Sequence, residues 1–171
     1  MNVVMVLMII AKINFRDEEY LEPKKILTEA GFKVVTASSS LGEAKGMLGA
    51  TVKIDTTIDK IKVSDYAAII FVGGSGATEY FDNKIAHKIA QDAVAQNKIL
   101  GAICIAPAIL AKANVLKNKK ATVFSSEQDT LKKYGATCTN NGVEVDGKII
   151  TASGPKFAKQ FGEKIKELLF K

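Results

Sequence analysis

The chain has 171 residues, 47% hydrophobic and 25% charged, which suits one compact domain over residues 1–171 and excludes a disordered composition. Its formal charge is +6, yet of 24 basic residues only Arg16 is an arginine, and aromatics reach 7% with no tryptophan. Guanidinium forks and stacking rings are the usual tools for reading nucleic acids, so no specific nucleic-acid partner is expected. The scattered lysines read as a solvated surface. Two cysteines, Cys104 and Cys138, make neither a disulfide framework nor a metal spacing, and the single histidine, His87, excludes His-rich metal sites. No metal and no cofactor are expected. The apolar start at residues 3–11 is too short to span a bilayer and lacks a basic leader. A soluble, cytoplasmic protein without membrane association is the expectation.

Residues 3–10 form an unbroken apolar run rich in β-branched side chains, as in a strand covered on both faces. The polar stretch 14–19 follows, then a helix at 20–30 with Gly31 placed to end it. Residues 32–37 read as a second strand, 38–49 as a Ser- and Gly-rich loop, and 50–54 as a short edge strand. Residues 67–72 give another apolar strand, followed at once by Gly73-Gly74-Ser75-Gly76. Ile85, Ile89, Ala93 and Val94 are spaced for a helix over 84–96; a strand at 99–103 and a helix at 107–113 come next. Val123 is assigned to a short strand, 129–134 to a helix closed by Gly135, 142–150 to a hairpin around Asp146-Gly147, and 156–170 to a final amphipathic helix. Strands alternating with helices predict an α/β three-layer sandwich with a mostly parallel central sheet. Function gathers at the C-terminal ends of such strands, and three features fall there: residues 14–19, the glycine loop and Cys104.

Cys104 stands where a strand turns into a helix, with Pro107 near the first helical position. Unpaired N–H groups and the helix dipole favour a thiolate there, and Gly101, Ala102 and Ala106 leave room for a strained turn. The alternative is an ordinary small core residue. The glycines at 73, 74 and 76 would let backbone approach a ligand or expose oxyanion donors, or would form a plain tight turn. Glu79 stands where a dinucleotide fingerprint needs its third glycine, so nucleotide binding is not supported. Asp17, Glu18 and Glu19 follow the first strand; one of them could face Cys104, or all three could simply begin a solvated helix. His87 reads as a surface or helix-packing residue.

Together these segments resemble the ThiJ/PfpI superfamily, which includes PfpI-type intracellular proteases and the Parkinson-associated chaperone and deglycase branch. The likeness is carried by Phe15-Arg16-Asp17-Glu18-Glu19 with Pro23, by Phe71-Val72-Gly73-Gly74-Ser75-Gly76, by Ala102-Ile103-Cys104-Ile105-Ala106-Pro107, and by residues 143–150 with Ser153-Gly154-Pro155. It implies a flavodoxin-like sandwich with a nucleophile-elbow cysteine, and a homodimer or larger homo-oligomer. Residue by residue it implies Cys104 as nucleophile, Glu19 as the acid hydrogen-bonded to it, and Gly74 with the Ile105 N–H as oxyanion donors. Arg16 stands where PfpI-type sequences often carry another glutamate.

Two departures bear on activity. PfpI-type proteases follow the cysteine with a histidine, and here that residue is Ile105. The deglycase branch draws a histidine from the region after the elbow helix, where this chain offers Ser125 or Ser126. Those serines join Gly73 and Ser75 as candidate pocket residues. The expected function is a reactive thiol: Cys104, assisted by Glu19, acting on small glyoxal-type electrophiles or serving as an oxidisable thiol. The alternatives are a PfpI-type intracellular cysteine peptidase or amidase, which lacks its Cys–His pair here, and a non-enzymatic stress-related or binding module on the same scaffold. The expected partner is a small-molecule or peptide substrate.

Overall fold

The computed structural model describes residues 2–171. In chain order its elements are β1 (Met5–Ile9), β2 (Ile13–Phe15), α1 (Asp17–Glu29), β3 (Lys33–Ser38), β4 (Gly42–Gly46), β5 (Thr51–Ile54), β6 (Thr56–Thr57), β7 (Ala68–Phe71), α2 (Lys84–Ala95), β8 (Ile99–Ile103), α3 (Pro107–Lys112), β9 (Lys120–Ala121), α4 (Gln128–Lys133), β10 (Thr137–Cys138), β11 (Val143–Asp146), β12 (Ile149–Ala152) and α5 (Ala158–Leu169). The central sheet has the order β11-β12-β8-β7-β1-β3-β6 and is parallel except at the β11–β12 hairpin.

The expected α/β sandwich is what the chain adopts. Along β1, Leu7 and Ile9 enter the core layer under α2 and α3, while Val6 and Met8 enter the layer under α1 and α5. Both faces of the strand are thus dry, which is why its sequence is a continuous apolar run rather than an alternation. Gly101 lets α5 settle on β8, since a Cβ there would sit 3.0 Å from the Phe161 ring.

The structure departs from the sequence reading in several places. The stretch read as loop contains β4, which pairs with β2 on one side and antiparallel with β5 on the other in a separate three-stranded sheet. β5 therefore edges this small sheet, not the central one. Its partner β4 is Gly-Glu-Ala-Lys-Gly with only Ala44 buried, so no local apolar pattern announces it. The helix expected from residue 20 begins at Asp17, so all three acidic side chains lie in its first turn, where the dipole favours them. Val123 lies just past the short strand β9 rather than in it.

Candidate active site

β8, β7 and β1 lie side by side, with Ile9 opposite Phe71 and Phe71 opposite Ala102. The connections leaving their C-terminal ends therefore converge, beside the point where strand order reverses about β1. β8 delivers Cys104, β7 delivers Gly73 and Gly74, and the β1 connection delivers α1 with Glu19. Pro23 lies inside α1 and has no N–H to offer the Glu19 carbonyl one turn back, so the turn bearing Glu19 is less tied to the helix behind it.

Cys104 has φ +65, a left-handed conformation that a side chain adopts only when its surroundings fix it. Its N–H donates to the Ala152 carbonyl at 2.8 Å, and its carbonyl accepts from the Phe124 N–H at 2.8 Å. The elbow is thus held from both sides, and Pro107 starts α3 directly after it. The cysteine is 8% exposed.

No side chain fits at Gly73. A Cβ there would lie 2.5 Å from Glu19 Oε1 and 2.6 Å from both Cys104 Cβ and the Ile103 carbonyl oxygen. This glycine is the gap across which Glu19 and Cys104 face each other. Gly74, at φ +102, runs against the backbone of residues 14–16, and the Arg16 N–H donates to the Gly73 carbonyl at 2.9 Å.

Glu19 is fully buried, and neither carboxyl oxygen closes a hydrogen bond. Burial pushes its pKa up to about 8; the nearby Cys104 thiol, the Arg16 charge and the Gly73 amide oppose this without reversing it. The Cys104 thiol is pushed up to about 12, first by burial and then by the charge of Glu19, while the Gly74 and Ile105 N–H groups pull it down. The resting thiol is therefore protonated, not the thiolate that a helix N-terminus suggests. α3 has only six residues, and desolvation outweighs its dipole. Cys104 and Glu19 titrate as a pair, because an anion on one raises the cost of an anion on the other.

The other acidic residues of the trio have different partners. Asp17 accepts the Leu48 and Ala50 N–H groups at 2.8 and 2.7 Å, which fixes the loop carrying Met47. Glu18 receives a two-pronged hydrogen bond from Arg16, and that contact holds its pKa below the ordinary carboxyl value.

A cleft of about 260 Å³ opens on the thiol. Of the residues singled out from sequence, it is lined by Cys104, Gly74, Ser75, Ile105 and Arg16. Met47, Phe124 and Pro155 complete the wall and were not expected. Pro155 belongs to the Ser153-Gly154-Pro155 segment that carries the family likeness, a signal within reach; nothing local marks Met47. Ser125 and Ser126 do not line this cleft. The Phe124 N–H is tied to the elbow carbonyl and its ring occupies the wall, so the serines beyond it are exposed, Ser125 lining a separate shallow depression. His87 lies on α2 with Nε2 2.6 Å from the Phe81 carbonyl oxygen, outside the cleft lining. A wider groove of about 520 Å³ lies at the opposite end of β7 and β8, against Ala67 and Ile99, away from this chemistry.

Fold and site together define an α/β protein with a cysteine on a strained elbow facing a buried carboxyl group. The pattern of the DJ-1/PfpI family matches residues 4–168, and the chain belongs to that family. An uncharacterized Methanocaldococcus jannaschii protein, MJ0967, is 42% identical over 92% of this chain and 78% of its own length. Deglycase PfpI of Pyrococcus furiosus is 31% identical over 82% of this chain and 85% of its own. YraA of Bacillus subtilis, described as a candidate cysteine protease, is 31% identical over 91% and 92%. The crystal structure of a ThiJ/PfpI domain protein from Brachyspira murdochii superposes with a TM-score of 0.96 at 30% identity, covering 99% of this chain and 98% of that one. Among the described residues no helix is long and apolar enough to cross a membrane.

Proposed function

We propose that Cys104 is a nucleophile toward small carbonyl electrophiles of the glyoxal type, with Glu19 as its proton carrier. One observation carries this reading: a fully buried carboxyl group without a hydrogen-bond partner, set against the thiol across Gly73. With a pKa of about 8, about a tenth of Glu19 is ionised at pH 7, which suits a general base working near neutrality. As the sulfur attacks the aldehyde carbon, the S–H proton passes to the Glu19 carboxylate and the carbonyl electron pair moves to oxygen. The Gly74 and Ile105 N–H groups are the donors for that oxygen. The oxygen then takes the proton, giving a thiohemiacetal and restoring the carboxylate. Loss of the adduct carbon's hydrogen as a proton, and its return to the neighbouring carbon, yields a thioester of a 2-hydroxy acid. Water releases the acid and the thiol. The name of the Pyrococcus relative, deglycase, is compatible with a thiol that acts on such carbonyl adducts.

A peptidase reading has the YraA likeness behind it. Amide cleavage needs a positioned donor for the leaving amine, and the only histidine sits on α2 against Phe81. The small cleft also favours small substrates. Conversion of methylglyoxal to lactate, followed by NMR, separates the readings. Turnover by wild type that is lost in Cys104→Ser is expected. Casein hydrolysis with no lactate formation would overturn the proposal.

A further inference from the structure

We propose that the Cys104 cleft contains a carboxylate subsite at Arg16, so that beside neutral glyoxals it also takes carbonyl compounds that carry a carboxylate next to the reacting carbonyl; this rests on the reactive-thiol reading above. Arg16 is the chain's one arginine, and among the described residues lining the cleft it is the one charged side chain. Its base is tied down by the N–H bond to Gly73, and its head is held by Glu18. Nε donates to Oε2 at 2.8 Å and Nη2 to Oε1 at 3.1 Å. That side-on fork uses two of the five N–H groups of a guanidinium. The end-on pair formed by Nη1 and Nη2 keeps the geometry to receive a second carboxylate.

The side chain is 30% exposed, open enough for a ligand to reach. The rest of the wall is largely apolar: Met47, Ile105, Phe124 and Pro155. With the Glu18 carboxylate on the side-on pair, what the guanidinium still offers is its end-on N–H pair, and a carboxylate set there gains two charge-assisted hydrogen bonds. A neutral aldehyde gains nothing from it. A 2-oxo acid such as glyoxylate would place its carboxylate on Arg16 and its carbonyl carbon at the sulfur. An S–C bond then forms, the carbonyl π pair moves to oxygen, and the thiol proton ends on that oxygen by way of Glu19. No further reactant is required.

Iodoacetate and iodoacetamide differ only by carboxylate against amide, and both alkylate sulfur. The ratio of their rates at Cys104, divided by the same ratio for glutathione, reads the subsite. Wild type is expected to prefer iodoacetate about tenfold, equivalent to about 1.4 kcal/mol, and Arg16→Gln to lose that preference. Equal normalised ratios in the two proteins would overturn the subsite while leaving the reactive thiol intact. A second measurement needs no reactive thiol. Pyruvate is titrated into Cys104→Ser while the Met47 methyl resonance is followed, with pyruvamide as the neutral control. A saturable shift with pyruvate alone, abolished by adding Arg16→Gln, supports the subsite even if Cys104 alkylates with neither reagent. The same response to both compounds, or no response to either, overturns it.

Discussion

Asp17 and Glu19 sit two residues apart on one turn of α1, both buried, and the fold uses them in opposite ways. Asp17 accepts two backbone N–H groups and thereby anchors the loop that brings Met47 to the cleft. Glu19 closes no hydrogen bond and faces a thiol. Burial alone does not separate a structural carboxyl group from a chemical one; the presence or absence of partners does. A carboxyl group left without donors holds its proton up to higher pH, and that proton is then available for transfer.

The largest effect expected from this contrast is on pH-dependent stability. Glu19 has a folded pKa of about 8 against an ordinary 4.5, so the folded state binds more protons than the unfolded state between those values. Its contribution is fully present below about 4.5 and is lost as pH rises through about 8. The slope is at most about 1.4 kcal/mol per pH unit, on the order of 4 kcal/mol between pH 5 and 8. Urea unfolding at several pH values should show this fall in wild type and a flatter profile in Glu19→Gln; parallel profiles would break the comparison.

Asp17→Ala should cost about 3 kcal/mol, because it strips the Leu48 and Ala50 N–H groups of a charged acceptor. Chemical denaturation measures it, and a loss under about 0.5 kcal/mol would show that other acceptors replace the carboxylate. Gly73→Ala is expected to cost about 2 kcal/mol and to suppress alkylation of Cys104, since the new methyl would push Glu19 and Cys104 apart. Unchanged labelling in a folded Gly73→Ala protein would show that the close approach is not needed.

The sequence revealed most of the sheet because its strands are dry on both faces. The runs at β1, β7 and β8 need no knowledge of their neighbours to be recognised. β2 and β4 were missed for the converse reason. They are short and carry one buried residue each; β2 exists through pairing with chain about 30 residues away, and β4, although its partner β5 is near, has no apolar pattern of its own. At the site, Cys104, Glu19, Gly73 and Gly74 sit in compact motifs and were legible, whereas Met47 and Phe124 arrive by long-range hydrogen bonds that leave no local pattern. The thiol's protonation was not legible for a similar reason. A helix start is visible in sequence, but the burial that raises the Cys104 pKa appears only once the layers are assembled.

The central claim is that Cys104 and Glu19 share a proton and that this sharing makes the thiol reactive. The rate of iodoacetamide modification at Cys104, followed by mass spectrometry across pH in wild type and Glu19→Gln, tests it most directly. The expected wild-type profile rises through an inflection near pH 8, where the pair releases its first proton, and Glu19→Gln lacks that inflection. The same inflection in both proteins would mean that the thiol titrates alone and would contradict the account.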